Sequence, residues 1–172
     1  SYKDLKSNNT NFALLVSQKF TEPFNSPIEF GKHVADMANM LTKNHILVQR
    51  FGDLIRGRRT TPERLFRNNI IPTLKDAIPG DLSLVLPYRI MTDIIEMIQA
   101  LDKVSPGLAS DETLLYGVEV KFYSNKIKVN KGFQTDTIQN LFVGGDGAGI
   151  TRGLMQASVN GVMIAREILK AV

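Results

Sequence analysis

Near its end the sequence runs LFVGGDGAGITRGLMQASVNGVMIAREIL, and no other stretch restricts the fold as much. Leu141–Phe142–Val143 has the apolar character of a buried strand. The GGDGAG run, Gly144 to Gly149, then forces a turn, and a helix follows from about Thr151. Glycines allow positive φ and let a ligand come close to the main chain. The first turn of the helix presents N–H groups that have no intrahelical partner, together with the positive end of the helix dipole. Such a junction suits a phosphate or another electron-rich oxygen. A plain strand–turn–helix that closes a sheet edge explains the same residues equally well.

The spacing separates this turn from the fingerprint that opens a dinucleotide-binding fold. Gly145, Gly147 and Gly149 nearly supply G-x-G-x-x-G, but the third glycine counted from Gly147 falls at 152, which is Arg152. The opening fingerprint is also followed by a second strand and an acidic residue about 20 positions on. The sequence after Gly149 reads as helix throughout, so the turn is expected to close a nucleotide domain. Leu154, Ala157, Ser158, Gly161, Val162, Ala165, Ile168 and Leu169 form one stripe of that helix, and several are small enough to lie close to a sheet. Gln156, Asn160, Glu167 and Lys170 are expected on the opposite, solvated face.

Upstream, Phe12 to Phe20 suits a short strand. A helix is expected after Ser26, with Ser26 as N-cap, Pro27 at the first helical position and Glu29 completing a capping box. Phe30, Val34, Ala38 and Leu41 repeat at helical spacing. His45 to Gln49 is a short apolar stretch. Thr60 and Glu63 bracket Pro62 at another helix start, and the prolines between 69 and 87 mark a connection. A second long helix runs to about Val104 on the face Met91, Ile94, Ile95, Ile98 and Leu101, and Pro106–Gly107 ends it. The period then becomes two. Val118, Val120 and Phe122 alternate with Glu119, Lys121 and Tyr123, and Ile127 and Val129 resume the alternation, which predicts an antiparallel pair.

Composition bounds the chemistry. The 172 residues are 43% hydrophobic and 22% charged, which supports a packed core. The net charge of +4 is too small to argue by itself for nucleic acid or membrane. The absence of cysteine excludes disulfides, thiolate nucleophiles and iron–sulfur ligation within this sequence and suits the cytoplasm. No apolar run is long enough to span a bilayer and no signal peptide is legible. Residues 1–11, polar and without an initiator Met, read as a lead-in.

Arginines crowd one segment: Arg50, Arg56, Arg58, Arg59, Arg64 and Arg67. Segment 50–67 fits a solvated basic face, a site for an anionic substrate or cofactor phosphate built on Arg56, Arg58 and Arg59, or an RNA-binding patch. The last is the weakest, because no aromatic interleaves with those three arginines as a stacking platform requires. Long charged side chains of this kind are rarely buried together, so exposure predicts that all three tolerate replacement by Ala. His33 and His45 have no partners at metal-ligand spacing, and no metal site is expected. Met91 and Met97 read as core.

The stretch TDTIQNLFVGGDGAGITRGLMQASVNGVMIARE resembles the closing motif of two-dinucleotide-type FAD proteins, in which a strand ends in Gly-Asp and a helix follows. QRFGDLIRGRRTTPERL, PTLKDAIPGDLSLVLPYRI and LLYGVEVKFYS are similar to a family of bacterial FAD-dependent dehydrogenases, and the likeness runs from about Phe12 to Ala171. The resemblance implies an α+β fold. Residues 1–137 would form most of a substrate or cap domain of helices and antiparallel strands, and residues 138–172 the end of a Rossmann-like FAD-binding domain. It implies that Asp146 bonds the ribityl chain of FAD and that Gly145, Gly147 and Gly149 allow close approach. The N–H groups near Gly153, Leu154 and Met155 would face the pyrimidine end of the isoalloxazine. It also implies a cytoplasmic flavoprotein oxidoreductase with NAD(P)H as co-substrate and a second, unidentified small-molecule substrate. This chain's partner would then be the N-terminal FAD-binding portion of the same protein, which carries the strand–GxGxxG–helix missing from this sequence, and the chain alone would be inactive. The alternative from another class is a non-catalytic module that binds an anionic ligand or RNA through segment 50–67.

Overall fold

The computed structural model describes residues 7–121 and 126–170. The chain is α+β and divides into two compact units, one reaching to Val120 and one starting at Lys121. The sequence places the division after residue 137. Residues 126–137 instead fold with the glycine turn: Ile127 N–H donates to Ala148 O at 3.0 Å, and Val143 N–H to Phe133 O at 3.0 Å.

In the first unit, helix α1 (Pro27–Thr42) buries Val34 and Ala38, while Phe30 packs against the core and Leu41 is exposed. The expected capping box does not form. Ser26 makes no side-chain cap bond, and Glu29 pairs with Lys32 at 3.1 Å. Lys43 ends the helix in the left-handed region, at φ 53°. Strand β1 (Leu47–Arg50) then runs through the middle of the unit, almost wholly buried, and passes directly into helix α2 (Phe51–Ile55). Helix α3 (Pro62–Phe66) is capped by Thr61 rather than Thr60, its hydroxyl accepting from Arg64 N–H.

The sheet is mixed. Strand β2 (Ile78–Pro79) pairs parallel with β1, and strand β3 (Leu114–Gly117) pairs antiparallel with it, giving the order β2–β1–β3. The expected antiparallel partners at 118–123 and 127–129 are not what β3 uses. Its partner is β1, with Val48 opposite Tyr116. Val118 and Val120 pack on the core without strand pairing, and Val129 forms only an isolated bridge to Thr135. Phe122 and Tyr123 lie outside the described residues. The run Phe12–Phe20 is not a strand either, although Leu14 packs on the core. Helix α4 (Tyr88–Asp102) is placed as its period requires: Met91 and Ile98 are buried, with Ile94 and Ile95 against the same cluster.

In the second unit, Leu141–Val143 was expected to be a buried strand, yet it is extended and pairs only with residues 133–135 among the described residues, and Leu141 is exposed. A short 3-10 turn (Asp146–Ala148) follows, and helix α5 (Leu154–Lys170) completes the unit. The helix is rotated from its expected stripe: Asn160, Ala157, Ile164 and Glu167 line the inward side, while Gln156 and Lys170 are exposed as expected. Asn160 is its buried residue, while Leu154 and Leu169 are 90% and 75% exposed. At Gly145 α5 meets a backbone N–H of the glycine turn, and a carboxamide satisfies it where a leucine would strand that N–H group; Ile164 packs beside it against Gly144.

Candidate functional site

The glycine turn is built from three residues that only glycine fills without strain. Gly145, Gly149 and Gly153 take φ of 75°, 69° and 134°. Gly147 has no such requirement, and a Cβ there, as at Gly145 and Gly153, would meet open space. The main chain of the turn is therefore accessible to a ligand from that side. Gly144, which the spacing argument passes over, is the closely packed one. A Cβ there would overlap Asn160 Oδ1 and Ile164 Cδ1.

Asp146 sits exposed at the mouth of the turn and leans toward the start of α5. Its Oδ1 accepts from Thr151 Oγ1 at 2.6 Å, and both carboxylate oxygens accept from Gly153 N–H at 3.2 Å. Gly153 N–H is thus engaged by the protein itself. Leu154 and Met155 lie in the first helical turn, where N–H groups have no intrahelical acceptor, and both side chains are exposed. Asn160 Oδ1 accepts from Gly145 N–H at 2.8 Å. Asn160 was expected on the solvated face. A polar residue at the i+15 position of a glycine turn carries no spacing signal that marks it as inward.

The arginine segment in the first unit looks different once its partners are seen. Asp53 is fully buried and accepts from Arg58 Nε at 2.8 Å and from Thr60 Oγ1 at 2.9 Å, with Arg50 3.7 Å away. Arg50 also reaches Glu112 at 2.7 Å and Asn68 at 2.7 Å. Arg56 pairs with Asp111 at 2.6 Å and donates to Gly52 O at 2.8 Å. The bond to Arg56 holds the Asp111 carboxyl below the usual carboxylate range, and the same bond raises the Arg56 guanidinium. Gln49, also fully buried, threads this network by donating to Arg58 O and accepting from Leu82 N–H. Of the candidate anion site, Arg56, Arg58 and Arg59 are all exposed, but Arg56 and Arg58 already hold carboxylates. The buried acceptors Asp53 and Gln49 could be found from sequence only as polar residues interrupting an apolar run.

Among the described residues no cluster of three His, Asp or Glu side chains is arranged to hold a metal ion, and no helix is long and apolar enough to cross a membrane.

The chain is 28% identical over 180 residues to an uncharacterized protein of Clostridium beijerinckii. The alignment takes in 99% of this chain and 33% of that relative, so the chain spans about a third of the relative's length. No family profile matches the chain.

Proposed function

We propose that this chain supplies the flavin-facing turn and part of the substrate domain of an FAD-dependent oxidoreductase. The observation that carries the reading is the glycine turn itself: an accessible main chain with positive φ at Gly145, Gly149 and Gly153, led by Asp146 at the N-terminus of α5. The residues suit a flavin dinucleotide on chemical grounds. Asp146, exposed and acceptor-rich, would bond a ribityl hydroxyl. Gly145, Gly147 and Gly149 would let the cofactor approach the backbone. With Gly153 N–H taken by Asp146, the amides of Leu154 and Met155 would be those that face the pyrimidine end of the ring. FAD, when bound, would supply the capacity to accept hydride, with NAD(P)H as reductant. This chain's own part is to position the ring and to place N–H donors where the reduced ring carries negative charge.

The exposed apolar side of α5, including Leu154, Val162 and Leu169, supports the same reading. A helix that follows such a turn in a nucleotide domain rests on a sheet, and the N-terminal FAD-binding portion of the same protein would provide it. The RNA or anion module gains no support, because Arg56 and Arg58 spend their charge on Asp111 and Asp53.

The test is flavin titration into the full-length protein. Asp146→Ala is expected to weaken FAD binding by about ten- to a hundredfold, the scale of one charge-assisted hydrogen bond. Asp146→Asn should weaken it less, since its amide oxygen still accepts. A full-length protein that takes up no flavin and instead retains RNA in a salt-sensitive way would overturn the proposal.

A further inference from the structure

Asn160 is 4% exposed, six residues into a helix whose apolar side chains are largely left in solvent. A carboxamide in such a place costs stability unless its polar atoms are bonded. Its oxygen accepts Gly145 N–H at 2.8 Å. The other end of Gly145 is held as well, since its carbonyl accepts from Ile150 N–H at 3.3 Å and Thr151 N–H at 3.4 Å. Gly145 is thus bonded on both sides, and Asp146 follows it directly. The missing side chain of Gly144 gives Asn160 the room to make its bond, for any Cβ at Gly144 would overlap the Asn160 oxygen.

We propose that Asn160 is the positioning residue of the glycine turn. By holding Gly145 N–H from inside the unit, it fixes the direction in which the chain enters Asp146 and hence where that carboxylate and the α5 amides stand before the cofactor. For the identity of that cofactor, this rests on the flavin reading above; for the positioning, it rests on the Asn160–Gly145 contact alone. A neutral acceptor suits the role. It satisfies Gly145 N–H without burying a second carboxylate beside Asp146 and an anionic dinucleotide.

The experiment is amide exchange by mass spectrometry on the peptide that carries Gly145, run with flavin titration on the full-length protein. The variants are Asn160→Ala, Asn160→Leu and Asn160→Asp, with helical content checked by circular dichroism; Ala covers the case in which Leu overpacks. In the Ala and Leu variants, exchange at Gly145 is expected to quicken about tenfold or more, the scale of one lost buried hydrogen bond. FAD affinity should fall about tenfold alongside it. Asp, which keeps an acceptor in place but adds a second carboxylate, should restore Gly145 protection without restoring full FAD affinity. Unchanged exchange at Gly145 in both Ala and Leu variants overturns the proposal. So does quickened exchange with unaltered FAD affinity. Quickened exchange in a protein whose wild type takes up no flavin sinks the flavin reading and leaves Asn160 as the residue that positions the turn.

Discussion

Exposure alone predicts that Arg58→Ala is harmless, and the structure predicts otherwise. The Arg58 side chain is 44% exposed, but the atom it serves is not: Asp53 is 0% exposed. Truncating Arg58 leaves its backbone bonds to Asp53 O and from Gln49 intact, so the change is confined to the guanidinium. Asp53 Oδ1 then loses its 2.8 Å donor, while Oδ2 keeps Thr60 Oγ1 at 2.9 Å and Arg50 at 3.7 Å. Breaking a fully buried pair costs about 3–5 kcal/mol. Water can enter where the half-exposed guanidinium stood, and Arg50 remains, so the cost should drop to about 2 kcal/mol, near that of one charge-assisted bond. In a unit of this size that lowers the thermal midpoint by about 5–10 °C. Arg56→Ala is the control, because both its side chain and that of Asp111 are about half exposed, and its midpoint should move much less. The assay is urea unfolding of wild type, Arg58→Ala, Asp53→Asn and the double variant. A coupling of at least about 1 kcal/mol is expected between the two sites. An Arg58→Ala protein within about 0.5 kcal/mol of wild type, a difference typical of an unremarkable surface change, would refute the reasoning.

Gln49→Leu should be among the most damaging substitutions in the first unit. It leaves Leu82 N–H without a partner in a buried place and Arg58 C=O without one in a partly buried place, at a cost of about 2–4 kcal/mol in urea unfolding; a loss below about 1 kcal/mol would show that the loop relaxes to satisfy them. Asp102 should give the fold part of its acid sensitivity. N–H donors from Ala109 and Gly107 hold its carboxyl below the usual range, so its contribution is fully present above about pH 4 and is lost as pH falls through the lowered value. The stability gap between wild type and Asp102→Asn, read as urea midpoints across a pH series, should therefore be widest near neutrality and close on acidification; a gap independent of pH would rule this out.

Helical period carried most of what the sequence reveals about the first unit. Pro27 stands at the start of α1, and Val34, Ala38, Met91 and Ile98 are buried as the apolar spacing predicts. Strand pairing was less legible, for a physical reason. The alternation at 118–123 is real, but β1 is short, buried on both faces and lacks alternation, so nothing in its sequence announces it as the partner of both β2 and β3. Likewise, a basic run gives no sign of where its counter-charges lie. Asp111 and Glu112 are more than fifty residues from Arg56 and Arg50, and only the fold brings them together.

The glycine turn shows where local reading stops. Its strand-to-helix order and its demand for positive φ follow from residue type, and Gly145 and Gly149 meet that demand. Which side of α5 faces inward does not follow, because a hydrophobic stripe only says that some apolar surface must be covered, not that the covering surface lies in the same unit. Here α5 meets the glycine turn, whose Gly145 N–H takes the Asn160 oxygen as its acceptor, so Asn160 goes inward and Leu154, Val162 and Leu169 stay outward. The two faces of one helix therefore answer separate needs. The carboxamide face fixes the turn, and the apolar face is expected to meet a second surface. A helix that carries both is the kind of element that joins a ligand-facing loop to a sheet. For that reason a charge placed at Val162 should leave amide exchange at Gly145 unchanged, whereas loss of the acceptor at Asn160 should quicken it.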